Sequence, residues 1–463
     1  MMRSFIGIDI GTTISKGVVI TECGDLVCEH QMCHSYANEL DYSDYWWNEI
    51  SIILMELIRN MGKGYELFSI TISAMAPNLI MLDDKGNVVN KTVLFTDDFA
   101  IVKQEELDNK DGTKWKNETL SKLIVLSEAE NWNSVRKVLT THNYIGYKLT
   151  GTMCCDIATA YEYGNVFDES LGSWNDAILH KHNLSSSILP EIVAPTTIIG
   201  KVKKEIADQF GISYEVNVIA GSHDSIASML GAGLSQKDDH LIYYGTFNCS
   251  ATIHENVSDI LIGKTLISPV EWTSSIPDSG PQFTAMCKLM TGDEDYCKFD
   301  KMAQNSRPGA NGVIFIQNPQ LLKTSISSKS NGCFWNLTNK TSREDMCRAI
   351  YESFPYGILS FWESIADFKY PKECYVAGGG TRSLARMQIV SDVLGITQYK
   401  LNYAENAVGT ALIGIASYDM SLFFNLQQKR KNDAKVIKGA AENSHEYEVA
   451  ASQYRKLLKN LEN

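Results

Sequence analysis

The chain has 463 residues, of which 44% are hydrophobic and 21% charged, and it carries a formal net charge of −13. These values are typical of globular proteins with large apolar cores, and a length of ~150 residues per domain predicts two to four domains. The acidic balance, without a basic arm or a clustered Lys/Arg face, argues against nucleic acid as a partner. No apolar run approaches the ~18 residues that span a bilayer, and no signal peptide is recognisable, so we expect a cytoplasmic protein with no membrane partner.

The first predicted element is an apolar strand that ends in an acidic, glycine-containing turn. The segment Asp9-Ile10-Gly11-Thr12-Thr13 closes one apolar run, and a second apolar run begins immediately after it. This pattern predicts a tight hairpin whose amide and hydroxyl groups suit phosphate oxygens, while Asp9 suits the metal ion that a polyphosphate carries. An ordinary hairpin with a Gly-Thr turn explains the same residues equally well.

A second strand runs through residues 216–223 and leads into a helix that begins near Asp224 and stops at Gly231-Ala232-Gly233. The apolar run predicts the strand, the turn after it predicts a loop, and the two glycines predict the end of the helix. Taken alone, Asp224 suits a helix N-cap, and the alternative is a carboxylate that accepts a proton. Another apolar run then ends in Gly245-Thr246.

The third pattern is a strand that begins at Glu373 and runs into Gly378-Gly379-Gly380-Thr381-Arg382-Ser383. We predict a helix from about residue 384 to 394, with Gly395 as its stop. Three glycines leave the backbone open to close approach by a ligand, and the alternative, a plain flexible turn, is the weaker interpretation because three glycines stand in a row. Strands that alternate with helices indicate the α/β class, and the polar segment 234–240 is the candidate boundary between two halves.

Taken together, these segments resemble the FGGY family of carbohydrate kinases, within the actin-like ATPase superfamily. The resemblance extends over nearly the whole chain, and includes Leu149-Thr150-Gly151 with Asp156 and the closing small-residue segment Glu405–Ala411. It implies one group of residues for each role. These are Gly11, Thr12, Thr13, Lys16, Gly245, Thr246, Gly378, Gly379, Gly380 and Ser383 for the nucleotide; Met75, Ala76, Pro77, Asn78, Asp97 and Asp224 for the substrate; Asp224 for catalysis; and Asp9 for the metal.

The resemblance also implies a fold and a reaction. We expect an α/β protein of two ribonuclease H-like domains with an interdomain cleft, residues 1–234 carrying the sugar site, the first phosphate motif and the catalytic acid, and residues 235–463 binding adenosine. The implied reaction is the phosphorylation of a primary hydroxyl of a small sugar or polyol by ATP with Mg²⁺. A homodimer is the expected assembly.

The segment that lines the sugar pocket in this family departs from its usual sequence. It aligns with Ile72–Leu79, where Pro77 and Asn78 replace the histidine and glycine of many xylulokinases and gluconokinases. The substrate is therefore the least determined part of the prediction.

A second element of the sugar pocket, Trp-x-Asp-x-Arg in the family, aligns with residues 95–99. Asp97 keeps the acid, but Phe95 replaces the tryptophan and Phe99 the arginine. Losing the arginine removes a fork that grips carboxylates, which favours a neutral xylulose-like ketopentose over gluconate. The alternatives are a gluconate or other polyol kinase, an actin- or Hsp70-like ATPase, and a sugar-sensing regulator without turnover.

Overall fold

The computed structural model describes residues 1–35, 41–112, 116–213, 215–245, 248–265, 270–276, 279–317, 332–403, 405–440 and 444–462. The chain divides into two compact units. Unit 1 comprises Met1–Gly231, Glu255–Pro269 and Glu405–Gln428, and unit 2 comprises Ala232–His254, Val270–Ala404 and Lys429–Asn463. The chain first crosses from unit 1 to unit 2 between Gly231 and Ala232, close to the predicted boundary at 234/235. The sequence did not indicate that two later segments belong to unit 1.

The described strands are β1 (Met2–Ile10), β2 (Ile14–Thr21), β3 (Leu26–Cys33), β4 (Tyr65–Ala74), β5 (Ile80–Leu82), β6 (Lys137–Leu139), β7 (Cys154–Asp156), β8 (Phe167–Asp168), β9 (Ser173–Trp174), β10 (Glu191–Val193), β11 (Ile198–Lys201), β12 (Asn217–His223), β13 (His240–Tyr244), β14 (Asn248–Ile253), β15 (Val270–Ile276), β16 (Ile314–Gln317), β17 (Gly332–Trp335), β18 (Glu373–Ala377), β19 (Thr397–Lys400) and β20 (Lys435–Lys438).

The described helices are α1 (Tyr42–Met61), α2 (Ile101–Asp111), α3 (Glu118–Ser127), α4 (Thr141–Thr150), α5 (Ile157–Tyr161), α6 (Asp176–Lys181), α7 (Lys204–Phe210), α8 (Asp224–Ala232), α9 (Val257–Leu261), α10 (Ser279–Thr291), α11 (Tyr296–Asn305), α12 (Arg343–Ser364), α13 (Leu384–Leu394), α14 (Asn406–Tyr418), α15 (Met420–Asn432) and α16 (Ser444–Glu462). None of these helices combines the length and apolar character needed to cross a membrane.

Each unit is built around a six-stranded sheet, and the two sheets share one topology. The order is β3-β2-β1-β4-β12-β11 in unit 1 and β15-β14-β13-β18-β19-β20 in unit 2. In each sheet the first three strands are antiparallel, the next two continue parallel to the third, and the last is an antiparallel edge strand. The α/β class and the ribonuclease H-like arrangement of both domains are confirmed.

Strand β1 is a central strand, which explains its nearly continuous apolar sequence. Every residue from Ser4 to Ile10 is buried. Helix α1 contributes to the apolar core on one side, and α14 packs against β1 itself. A Cβ added at Gly7 would lie only 2.2 Å from the Ala407 carbonyl oxygen, so the close approach of α14 requires glycine there.

The local predictions around the second and third patterns match the structure closely. Helix α13 spans Leu384–Leu394, and Gly395 ends it in the left-handed conformation with φ 66°. Strand β12 passes directly into α8 at Asp224, without the loop that the sequence suggested. The acid therefore stands at the junction of a buried strand and a helix.

Candidate active site

A buried carboxylate at the end of β1 is the centre of a polar cluster in unit 1. Asp9 is 8% exposed. Its Oδ1 accepts a hydrogen bond from Ser73 Oγ at 2.6 Å, and its Oδ2 accepts one from Asn406 Nδ2 at 3.1 Å. Ser73 Oγ also lies 2.6 Å from Thr410 Oγ1 on α14. Residues from β4 and α14 thus hold this carboxylate of β1 in one orientation.

A β-bulge places the second acid. The register of β12 against β4 shifts between Ile219 and Ser222. Within the shift, Gly221 has φ 74°, and a Cβ there would lie 2.0 Å from the Ile72 carbonyl oxygen, so only glycine fits. Such a bulge re-aims the residues that follow it, here the half-buried Asp224 at the start of α8.

Asp224 acts electrostatically on Asp9. Burial, followed by repulsion from Asp224, raises the pKa of Asp9 to about 7, although hydrogen bonds from Ser73 and Asn406 lower it. Burial also raises the pKa of Asp224, against the opposing effect of His223. Neither carboxyl group therefore titrates at its ordinary pH, and the pair presents oxygen donors with excess negative charge at one place in unit 1.

The predicted phosphate turn is a hairpin, but its groups are not equally available. The Gly11 amide donates to the Ile14 carbonyl oxygen at 3.1 Å, so it is used within the turn. Thr12 and Thr13 are exposed at the tip. Their amide and hydroxyl groups are the ones that a bound anion reaches most easily.

Lys16 follows this turn and is held by two acids. Its Nζ lies 2.8 Å from Glu29 and 2.5 Å from Glu405. Burial opposes its charged form, but the bonds with both glutamates outweigh that effect and raise the pKa of Lys16. A phosphate group would have to compete with these partners.

The three glycines after β18 lie against the end of β13 in unit 2. Gly378 has φ 93°, and a Cβ there would lie 2.4 Å from the Tyr244 carbonyl oxygen. Gly380 also packs on Tyr244, whereas a Cβ at Gly379 would meet nothing within 4 Å. Packing within unit 2 therefore explains Gly378 and Gly380, and Gly379 is the position open to a ligand.

Ser383 joins this loop to the helices below it. Its Oγ accepts from the Arg386 amide at 3.0 Å, as the N-cap of α13, and donates to Asp300 Oδ1 at 2.6 Å. Asp300 also accepts from the Tyr351 hydroxyl. The Arg386 guanidinium is buried and lies 5.2–6.0 Å from the ring centroids of Tyr244, Phe283, Tyr351 and Phe354.

Of the predicted Gly245-Thr246 turn, Gly245 is half-buried at the end of β13, and Thr246 lies outside the described residues.

The first predicted substrate segment is mostly internal. Met75 is 5% exposed and belongs to the core of unit 1. The Asn78 side chain is fully buried, donating to Thr141 Oγ1 at 2.8 Å and accepting from the Phe95 amide at 2.9 Å. Asn78 therefore ties three chain segments together, and Ala76-Pro77, joined by a cis peptide bond, is the half-buried part.

Asp97 lies beside an open pocket of about 220 Å³. Its Oδ2 accepts from the Leu94 amide at 2.8 Å. Lys122 also lines this pocket, but its Nζ donates to the carbonyl oxygens of Leu94 and Phe95 and to Glu118 at 2.7–3.2 Å. The lysine thus stabilises the loop and is already engaged by three acceptors.

A buried network supports the strand end that precedes Asp224. Asp156 accepts from Ser222 Oγ at 2.8 Å and from the Thr159 amide at 3.1 Å, and it lies 3.0 Å from His142 Nε2. Burial acts to raise the pKa of Asp156, but these bonds and the proximity of His142 lower it overall. The network fixes Ser222, two residues before the acid.

Sequence reasoning missed the residues that surround Asp9. Asn406 and Thr410 stand four residues apart, so they share one face of α14, and this spacing in a small-residue helix was the available signal. Ser73 is a polar residue near the end of an apolar strand. No group of three or more His, Cys, Asp or Glu residues with the geometry of a metal site occurs among the described residues.

Comparisons with known proteins place this site in a family context. Residues 4–231 match the profile of the N-terminal domain of the FGGY family of carbohydrate kinases. A xylulose kinase from Staphylococcus xylosus is 27% identical over 426 residues, covering 86% of this chain and 87% of the relative.

Two solved structures have the same fold. The xylulose kinase from Rhodospirillum rubrum superposes with a TM-score of 0.84 at 21% identity and 99% coverage of both chains. The gluconate kinase from Lactobacillus acidophilus superposes with a TM-score of 0.82 at 19% identity, covering 100% of this chain and 99% of the other.

Proposed function

We propose a xylulose-like ketopentose as the substrate of this chain, which belongs to the FGGY family of carbohydrate kinases and is an ATP-dependent sugar kinase. The observation that carries the kinase chemistry is a pair of acids in unit 1, the buried Asp9 and the half-buried Asp224, of which Asp224 raises the pKa of Asp9. Asp9 is held by hydrogen bonds from two polar side chains, whereas Asp224 begins a helix. This asymmetry suits two different roles.

Asp224 is our proposed general base. It accepts the proton of the sugar's primary hydroxyl as that oxygen forms a bond to the γ-phosphorus and the bond from this phosphorus to the leaving ADP oxygen breaks. A base of this kind is typically worth about 10²–10⁴ in rate. Its raised pKa makes it a stronger base than an exposed aspartate, and the Asp156 network holds the strand that presents it.

Asp9 is our proposed residue for Mg²⁺. Carboxylate oxygens are ligands that Mg²⁺ prefers, and the metal is usually bound by one or two carboxylates together with substrate phosphates and waters. The donor chemistry therefore fits, because a cation would also relieve the repulsion between Asp9 and Asp224. When bound, the metal neutralises phosphate oxygens. Within unit 1 we assign the phosphates to Thr12 and Thr13, whereas a role for the Gly245-Thr246 turn stays a prediction from the sequence.

For adenosine we propose the loop Gly378–Ser383. Gly379 supports this, because it has open space beside its backbone. Arg386 borders the same loop, since a Cβ added at Gly380 would lie 2.7 Å from its Nη1.

The choice of a neutral sugar over an aldonate rests on charge. A carboxylate substrate needs a partner cation, and Lys122 beside the Asp97 pocket is committed to three acceptors. Phe99, 47% exposed, stands where the family has arginine. The relatives named xylulose kinase support the same choice, whereas the gluconate kinase fold neighbour keeps aldonates as the competing class.

A coupled ADP-release assay with MgATP tests the substrate. The panel contains D-xylulose, L-xylulose, D-ribulose, glycerol and D-gluconate. We expect a ketopentose to give the highest kcat/KM, at least about tenfold above gluconate. No stimulation by any of these compounds would instead favour a regulator without turnover.

Asp224→Asn tests the base. We expect a loss of about 10²–10⁴ in kcat with MgATP binding retained. Asp176→Asn, an exposed acid that also begins a helix, is the matched control and should behave like the parent. An Asp224→Asn variant as fast as the parent would exclude Asp224 as the base.

The homodimer and the cytoplasmic location stay predictions, to be checked by analytical ultracentrifugation and cell fractionation.

A further inference from the structure

The residue that follows β3 folds back onto the phosphate turn. The His34 amide donates to the Thr13 carbonyl oxygen at 2.8 Å. Its ring Nε2 lies 2.9 Å from the Gly11 carbonyl oxygen. One residue therefore contacts the turn on both sides of Thr12, at backbone atoms that no side-chain substitution within the turn would remove.

The second nitrogen of the same ring bonds to a residue of helix α1. His34 Nδ1 lies 3.1 Å from the Glu49 carboxylate on α1, and both side chains are 2% exposed. Ser15, on the strand that leaves the turn, donates to Glu49 Oε2 at 2.6 Å. The chain Gly11–His34–Glu49–Ser15 thus links both strands of the hairpin to α1.

The hydrogen-bond chemistry determines the protonation that this arrangement needs. A carbonyl oxygen and a carboxylate only accept hydrogen bonds. The imidazole satisfies Gly11 and Glu49 together only when both ring nitrogens carry a proton. A neutral ring must give up one of the two bonds.

We propose that His34 is a positioning residue for nucleotide binding, which in its doubly protonated form holds the Gly11–Thr13 turn in the conformation that receives the phosphates. The inference rests on the proposed function, because it concerns the turn that we assign to ATP. A short exposed turn loses backbone freedom when it binds an anion, and a turn that is already fixed loses less. His34 therefore acts on ATP affinity through the turn, without touching the nucleotide.

The groups that face the ring define its pH response. Glu49 and Tyr45 face it from α1, with the Tyr45 ring centroid 6.1 Å away, and the Gly11 carbonyl oxygen faces it from the hairpin, while Ser15 donates to Glu49. Lys16 pairs with Glu29 and Glu405 instead. Burial opposes the charged ring, but the bonds with Glu49 and Gly11 outweigh it and raise the pKa of His34. ATP affinity should fall as the pH rises through this raised value.

Two substitutions separate the proposal from a general structural effect. His34→Gln keeps a similar volume but cannot hold both acceptors. We therefore expect the KM for MgATP to rise about tenfold over the parent at low pH, where the parent ring is doubly protonated, and to differ little from the parent at high pH, with the sugar KM unchanged and kcat within about twofold. Glu49→Gln supplies an amide donor, so a neutral His34 can accept from Gln and still donate to Gly11. This variant should keep its ATP affinity at high pH, where the parent loses affinity.

The experiment is MgATP binding by calorimetry and steady-state kinetics on the full chain between pH 5.5 and 9. His30→Gln, on β3 and paired opposite Gly17, is the matched control and should follow the parent. If His34→Gln and Glu49→Gln both keep the affinity and pH dependence of the parent, the proposal is wrong while the kinase function stands. A parent chain that binds no MgATP overturns both.

Discussion

Ser73 and Asp9 lie opposite each other on neighbouring parallel strands, and the Ser73 hydroxyl donates to the Asp9 carboxylate at 2.6 Å. This bond favours the ionised acid, whereas burial and the charge of Asp224 favour the protonated one. The balance brings the pKa of Asp9 to about 7. The nucleotide-free protein therefore holds a carboxyl group that titrates near neutral pH.

Ser73→Ala should shift the acidic limb of the pH profile of kcat/KM for MgATP to higher pH. Without the hydroxyl, the ionised form of Asp9 loses a hydrogen bond, and its pKa rises further. We expect the limb of kcat/KM for MgATP to shift by about one pH unit to higher pH, and activity at pH 7 to fall. Ser69→Ala is the control, since this buried hydroxyl on the same strand has no hydrogen-bond partner among the described residues. An unmoved limb would mean that Asp9 does not control the profile.

Asp9→Asn should stabilise the protein while abolishing turnover. The pKa of Asp9 is about 7 in the folded chain and 3.8 as its ordinary value, so the folded state binds more protons between these values. Its free energy of unfolding therefore falls as the pH rises from 4 to 7, whereas asparagine carries no such cost. The gain at pH 8 has an upper limit of about 4 kcal/mol, and it is smaller at pH 5.

Urea unfolding of the metal- and nucleotide-free protein at both pH values measures this difference. Adding Mg²⁺ and ADP should stabilise the parent more than Asp9→Asn, which narrows the gap at pH 8. Asp176→Asn provides the comparison for an exposed acid. Equal stabilities of Asp9→Asn and the parent at pH 8 would contradict a raised pKa at Asp9.

The sequence predicted the local parts of this site better than its assembly. The hairpin at Asp9 and the helix Leu384–Leu394 follow from patterns within about fifteen residues, and both are present. The bonds that hold Asp9 join it to Ser73 and Asn406, which are 64 and 397 residues away. Strand register and helix packing decide such contacts, and a local sequence pattern predicts neither of them.

The substrate segment shows the converse difficulty. Asn78 stands where the family's pocket residues lie, so a ligand contact was the natural expectation. In the structure all of its described hydrogen bonds are internal, to Met75, Thr141 and Phe95. An asparagine can be buried because it ties loops together or because it faces a ligand. The sequence looks the same in both cases, since each is a polar residue among apolar ones.

Asp156→Ala should be strongly destabilising. Its removal leaves His142, Ser222 and the Thr159 amide without their shared acceptor in a fully buried position. Breaking such a buried pair costs about 3–5 kcal/mol. Glu215→Ala, which breaks the exposed ion pair with Lys201, should cost no more than about 1 kcal/mol.

Equilibrium urea unfolding at pH 7.5 and pH 3.5 measures the Asp156 effect. The folded-state pKa of Asp156 is lowered, so its stabilising contribution is complete above the ordinary value of 3.8 and is lost as the pH falls below it. The difference between parent and Asp156→Ala should therefore shrink at pH 3.5. A constant difference would point to lost packing alone.

Phe99→Arg should shift the substrate preference towards aldonates. Phe99 is 47% exposed one residue from the Asp97 pocket, so an arginine there can extend without displacing core residues. A guanidinium offers paired N–H donors that match a carboxylate, and Lys122 cannot serve because three acceptors hold it. We expect kcat/KM for D-gluconate relative to D-xylulose to rise about tenfold. Phe99→Leu, which keeps an apolar side chain, should leave the ratio unchanged. If both variants raise the gluconate ratio alike, pocket size decides specificity and the charge argument fails, because only the arginine adds a cation.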